Sequence, residues 1–344
     1  MPREDELMGF DDAEASHAHG APRRFEPEEL VACDECLRAN APTRMNCLYC
    51  GAPLPLTEQS ATLRRPALRK LEEWEQGFNV VLHPPCVKAA PETIEEIASL
   101  LRLDAARLSE IVESGTTLPV ARAASGEEAE LIVSRLKARG LEAEVFNDDA
   151  LARTPTRVRA LAFDREALVL RTTAEAEPAR VAWEDVALLV VGRIVTRRVE
   201  LEERPSKLAG RGKLLDAREV ASDEEVLDIY TLEEGREAFR VMADGFDYSC
   251  LGEDKGLLAR DNFKRLVTAL RERATRATLD EEYARLRGAL TSVWPPAERN
   301  ESGGLRRDRP GRLSTESVTV VSNESQFTRY ARLRWRLATR AKSL

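Results

Sequence analysis

Four cysteines mark the chemistry open to this chain. They stand in "CDECLRANAPTRMNCLYCG" with the spacing Cys33-x2-Cys36-x10-Cys47-x2-Cys50. A two-residue gap lets one tight turn bring two thiolates to the same side. Two such turns complete a tetrahedron round a soft divalent cation. Gly51 follows the last cysteine, where a permissive backbone lets amides turn back toward sulfur. The expected occupant is one Zn2+ on Cys33, Cys36, Cys47 and Cys50, with an iron–sulfur site or a redox dithiol pair as the lesser alternatives. Four thiolates leave no coordination position for water or substrate, so the expected metal is structural.

Other candidates for chemistry are thin. His83 and Cys86, in "HPPC", set an imidazole near a thiol. No third orienting group is evident there, and Pro84 and Pro85 favour a stiff loop with Cys86 packed as a small hydrophobe. "GRGK" (210–213) lacks the rest of a phosphate-loop pattern and reads as a basic loop. Of the three histidines, His17 and His19 fall in an acidic N-terminal stretch. No carboxylate pair is singled out for acid–base work, so the expectation is a protein that is not an enzyme.

Length and composition leave room for two or three domains. The chain has 344 residues, 43% of them hydrophobic and 33% charged. No apolar run approaches 18 residues, so no transmembrane segment is expected. "ALLVVGRIV" (187–195) is the longest such run and reads as a buried strand. The N-terminus lacks the basic-then-apolar order of a signal peptide, which with paired thiols points to the cytoplasm. The net charge of −8 hides an asymmetry: residues 1–30 carry nine acids and three bases, residues 301–344 ten bases and four acids.

Residues 30–55, with "CLYCGAPLP" as second knuckle and exit, resemble a bacterial zinc ribbon. They are also similar to the Ran-binding-protein type of zinc finger, which carries an Asn where Asn40 stands, four residues after Cys36. Some of those fingers bind single-stranded RNA and others bind ubiquitin. The zinc-ribbon resemblance is preferred and implies an interaction module.

From Phe78 the pattern becomes regular. "FNVVL" reads as a strand, and Ile94, Ile97 and Leu101 give a helical face. Asp104 caps a second helix with Leu108, Ile111 and Val112, which Gly115 ends. "TLPVA" is a short strand, and Ser125 with Glu128 forms a capping-box pattern before Ala129, Ile132, Val133 and Leu136. "LEAEVF" alternates as a half-buried strand does. The order β-α-α-β-α-β, and "SGEEAELIVSRLKARGLEAEVF" in particular, resembles the C-terminal domain of the ribosomal stalk protein. The adaptor that delivers substrates to the Clp protease shares that fold. The resemblance implies protein binding.

Beyond "ARTPT" short strands recur, followed by a helix bearing Phe263, Leu266, Val267 and Leu270 and another from about Asp280 to Leu290. This order looks like the pleckstrin-homology-like fold over roughly 157–275, which implies partner docking or scaffolding. "QFTRYARLRWRLATRAKSL" closes the chain as a basic amphipathic helix. Tyr330, Leu333, Leu337 and Leu344 share one side, with Trp335 off that stripe. Arg329, Arg332, Arg334, Trp335, Arg336 and Arg340 are the candidate partner-binding residues, unless the helix folds back onto its own domain.

The expected organisation is an α+β multidomain chain. An acidic tail (1–29) leads to a four-cysteine zinc ribbon (30–56) and a linker helix (57–76). A β-α-α-β-α-β domain (77–148) comes next, then a strand-rich domain closed by C-terminal helices (156–295), a linker (296–325) and the basic helix (326–344). The expected function is a cytoplasmic, non-enzymatic adaptor or scaffold that binds other proteins. The alternative is a nucleic-acid- or ribosome-associated factor using the zinc ribbon and the Arg-rich helix. Peripheral membrane contact through that helix is a further candidate.

Overall fold

The computed structural model describes residues 24–343 except 58–59, 61–62, 65, 73–74, 86–88, 174, 205–212, 233–237 and 310–311. For 202–204, 213–216, 302–309, 312–316 and 341–343 it describes the backbone alone. Cys86, residues 210–212 of the basic loop, and the acidic stretch through residue 23 lie outside the described residues. The fold is mixed α/β, and the chain divides into two compact units, 1–64 and 65–344.

The first unit has little regular structure. β1 (Val31–Ala32) and β2 (Ala39–Asn40) pair antiparallel, and Asn46 bridges Pro53. Its core is Val31, Cys33, Cys47 and Leu54, with Cys36 and Ala52 packed against them. So small a core supplies little hydrophobic stabilisation, and a bound metal is the usual remedy. Arg64 is fully buried and donates to the carbonyls of Pro42 (3.2 Å), Leu54 (3.1 Å) and Pro55 (2.9 Å), fastening the exit segment to the module.

The second unit opens with residues 66–72, expected within a linker helix but not helical. Pro66 lacks an N–H, and Leu68 adopts a left-handed φ of 42°. A three-stranded antiparallel sheet follows, with β3 (Phe78–Leu82) between β4 (Leu118–Ala123) and β5 (Ala143–Asn147). Three helices contribute its apolar cover: α1 (Pro91–Leu101), α2 (Ala105–Glu113) and α3 (Gly126–Lys137). Asp104 accepts from the amides of Ala106 and Arg107, and Ser125 from Glu128. The Glu128 carboxylate does not close the capping box. It is buried and accepts from the amides of Ala124 (3.1 Å) and Leu68 (2.7 Å), tying residues 66–72 to the domain.

After α4 (Asp148–Leu151) the chain bends through β6 (Thr156–Val158) and β7 (Ala160–Phe163). β7 forms a small antiparallel sheet with β8 (Ala167–Arg171) and β9 (Ala179–Ala182). β6 joins a larger sheet ordered β14-β15-β10-β11-β12-β6. Its members are β10 (Val186–Arg204), β11 (Lys213–Thr231), β12 (Phe239–Met242), β14 (Ala297–Arg309) and β15 (Arg312–Ser322). β13 (Thr278–Asp280) pairs parallel with β10. Along β10 successive residues feed different cores: Leu188, Val190 and Ile194 one, Leu189 the other. Cover on both faces explains the continuous apolar run at 187–191. α5 (Ala259–Arg273) buries Phe263, Leu266, Val267 and Leu270 in the second core.

Two expectations give way here. The first core does not stop at residue 148. It continues through Tyr230, α6 (Tyr283–Leu290), Trp294 and α7 (Glu324–Ser343), so the stretches expected as separate domains share one interior. Trp294 is fully buried and donates through Nε1 to Asn79 Oδ1 at 2.7 Å, across the expected boundary. Nor is 296–325 a linker, since it contains β14 and β15. β14 is polar along almost its whole sequence, and on β15 only the stretch at 318–321 is apolar, with Val318 buried. What holds them is the backbone ladder from β15 to β10, which runs from Thr196↔Ser322 to Glu203↔Thr315.

Candidate metal centre

The two knuckles of the first unit are built alike. In each, the amide following the second cysteine donates to the carbonyl of the first: Leu37 to Cys33 at 2.8 Å and Gly51 to Cys47 at 3.0 Å. In each, the first cysteine's amide donates to the carbonyl five residues on: Cys33 to Arg38 at 3.0 Å and Cys47 to Ala52 at 2.7 Å. Both closing residues are left-handed, Leu37 at φ 58° and Gly51 at φ 77°.

This pairing brings all four sulfurs within 4.8 Å of one another. Cys33 Sγ lies 3.6 Å from Cys50 Sγ, and Cys36 Sγ lies 3.5 Å from Cys47 Sγ. For metal–sulfur bonds of about 2.3 Å, a regular tetrahedron has edges of about 3.8 Å. The cluster therefore fits a tetrahedral metal ion. It is the one group of three or more such ligands among the described residues.

Its electrostatics call for a cation. Burial disfavours the Cys47 thiolate. Even so, the amides of Cys50 and Tyr49 and the Asn40 side chain pull its thiol down to about 6. Cys50 goes the other way: the Ala52 amide lowers it, but burial and the three other sulfurs push it up to about 12. Cys47 thus takes the first negative charge, and Cys36 and Cys50 resist a second. Only a positive ion at the centre lets all four ionise together.

Asn40 braces the second knuckle. Its buried amide accepts from Leu48 N at 2.8 Å and donates to the Arg38 carbonyl at 2.8 Å and to Cys47 Sγ at 3.5 Å. Both knuckles carry exposed apolar side chains: Leu37, Leu48 and Tyr49 are 81%, 64% and 54% exposed. The Arg38 guanidinium lies over the Tyr49 ring at 4.7 Å. Sequence reasoning passed over these three residues. The signal was there in an apolar pair between Cys47 and Cys50 and a leucine directly after Cys36.

The C-terminal arginines belong to α7 of the second unit, and most are partly or fully buried in it. Trp335, expected off the apolar stripe, is buried, stacks on Tyr230 and donates to the Thr231 carbonyl at 2.7 Å. Arg332 is buried over the Trp335 ring, and Arg336 lies over it too. Arg334 bonds Asp280 Oδ2 at 2.6 Å, Arg329 lies 3.7 Å from Asp148, and Arg340 pairs with Glu144 over the Phe146 ring. Acids on the neighbouring elements pair with Arg329, Arg334 and Arg340 of this helix, within its own unit.

His83 Nε2 lies 3.2 Å from Glu144 Oε1, and its Nδ1 lies 3.4 Å from Thr117 Oγ1. A groove of about 820 Å³ follows α5 over Val191, Phe263, Val267 and Leu279. Lys264, Arg271, Glu225 and Glu272 line it with both signs of charge. No helix among the described residues is long and apolar enough to cross a membrane. Compared with models of known protein families, with curated proteins and with solved structures, the chain matches none.

Proposed function

We propose that this chain is a non-enzymatic, cytoplasmic adaptor whose first unit is a zinc-clamped protein-docking module. The observation that carries the reading is the exposure of three large apolar side chains, Leu37, Leu48 and Tyr49, each next in sequence to a metal ligand. Exposing three large apolar side chains on so small a module does nothing for its own fold, and a partner that covers them gains their burial. Zinc suits four thiolates in a tetrahedral cluster, and with its shell filled it acts as a clamp. The occupant we assign to these side chains is an apolar patch on another protein, with Arg38 over Tyr49 offering a cationic rim to a carboxylate beside it.

The test is affinity capture with the full chain after nuclease treatment, repeated with the Leu37→Ser, Leu48→Ser, Tyr49→Ser variant. A saturable protein partner that survives nuclease and no longer binds the variant, at unchanged metal content, is the expected result. Partners that stay bound to the variant would overturn this assignment.

A further inference from the structure

The long hairpins of the second unit sort charge along their length. β10 and β11 run 19 residues each, and the core residues of β10 end at Ile194. Beyond it lie ten more residues, about 34 Å of strand. Near the core, opposite charges face across the ladder. Arg193 stands opposite Glu225 and Glu200 opposite Arg218, with ion pairs Arg193–Asp223 (2.8 Å) and Arg197–Glu219 (3.0 Å). Further out comes an acidic row, with Glu202 between Asp216 and Glu316.

At the far end the sign reverses. Arg204 pairs in register with Lys213, closing the described part of the β10–β11 hairpin. The β14–β15 hairpin ends beside it, because Glu203 and Leu305 both pair with Thr315. It carries Arg306, Arg307, Arg309 and Arg312, with Arg309 in register with Arg312. Past the row of Glu203, every charged position on these strands except Asp308 is basic. Like charges directly opposite one another destabilise an antiparallel pair, yet the described ladder of each hairpin ends on one. The fold gains nothing from this arrangement, whereas a polyanion would.

We propose that the paired hairpin ends bind the phosphate backbone of a nucleic acid. The juxtaposition of Arg204 and Lys213 with Arg306, Arg307, Arg309 and Arg312 carries the inference, and it does not depend on the adaptor reading. Five of the six are arginine, whose planar fork matches a phosphate bidentately. A lipid surface would be served equally by lysine point charges. The acidic row behind the tip repels phosphate and confines binding to the end. The chain's net charge of −8 leaves this end as a local exception.

The test uses the metal-loaded full chain and fluorescent single-stranded RNA, single-stranded DNA and duplex of equal length, titrated from about 50 to about 200 mM salt. The variants are Arg306→Ser/Arg307→Ser/Arg309→Ser/Arg312→Ser and Arg204→Ser/Lys213→Ser. A third variant, Arg260→Ser/Lys264→Ser/Arg271→Ser on α5, removes a similar charge away from the tip. The tip variants are expected to weaken binding at least about tenfold. They should also flatten the salt slope by about 0.7 for every single-strand phosphate that is no longer neutralised, with unchanged metal content and urea unfolding. The α5 variant should retain wild-type binding, and the three probes show which nucleic acid is preferred. Lysine replacements at the same tip positions should keep the slope, which separates an effect of charge from an effect of folding. Absence of binding to all three probes at low salt would sink the proposal. So would equal weakening in the α5 variant, or retention on phosphatidylserine vesicles alone.

Discussion

Leu37 occupies in the first knuckle the position that Gly51 occupies in the second: both are left-handed, and both amides close their turn on the leading cysteine's carbonyl. A side chain in that conformation costs about 1–2 kcal/mol, which glycine avoids. Leu37→Gly should therefore hold or raise metal affinity in a chelator competition while reducing partner capture. A clear fall in affinity would mean that the leucine supports the fold instead.

Replacing Cys47 and Cys50 by Ser should abolish stoichiometric metal binding and unfold the first unit, leaving the second unit's unfolding transition in place. Metal analysis with circular dichroism reads both outcomes. Retained stoichiometric metal would show that other ligands hold it.

Metal affinity should rise with pH across the neutral range. In the metal-free cluster Cys50, pushed up to about 12, keeps its proton there, and metal must displace it. As pH falls through about 6, Cys47 takes a proton as well, and the affinity drops more steeply. Competition titrations at several pH values measure this directly, and a flat profile would exclude proton-linked binding.

Trp294→Ala should destabilise residues on both sides of the expected domain boundary together. The indole fills the shared core and donates to Asn79, so its removal should cost about 3–5 kcal/mol. Hydrogen exchange should show β3 and β10 losing protection in parallel. An effect confined to one of them would mean two independent cores.

Asp228 and Arg240 form a fully buried bidentate pair at 2.7 and 2.8 Å, and Arg240 also reaches Glu324 and Thr328 on α7. Asp228→Asn should cost about 3 kcal/mol by leaving the buried guanidinium with the exposed Glu324 as its one remaining carboxylate. Asp228→Leu combined with Arg240→Met should recover much of that stability. Urea titration of the three variants decides it.

Much of 77–148 was legible because its signals are local. Asp104 and Ser125 cap their helices with their own side chains, and the α3 face buries Ala129, Ile132 and Leu136 as the spacing foretold. Glu128 was half legible: its position completes a capping pattern, but burial turned its carboxylate to Leu68. The cysteines could be grouped from spacing alone, because a two-residue gap fixes a turn.

Trp335 and the strands at 297–322 show where such reading stops. Helical periodicity ranks residues by an average face and cannot know that Tyr230 and the Thr231 carbonyl await an indole off that face. Strand alternation reports burial, and β14, polar along almost its whole sequence, pairs with β15 through a backbone ladder that no side-chain pattern records. The sequence by itself determined the four-thiolate cluster, the helix caps and the apolar run of β10, because each follows from residues close together in the chain. Tertiary structure alone decided that the basic helix turns inward, that two expected domains share a core and that two basic hairpin ends meet. Each of those depends on partners more than a hundred residues away, and long-range pairing leaves no periodic trace in either partner.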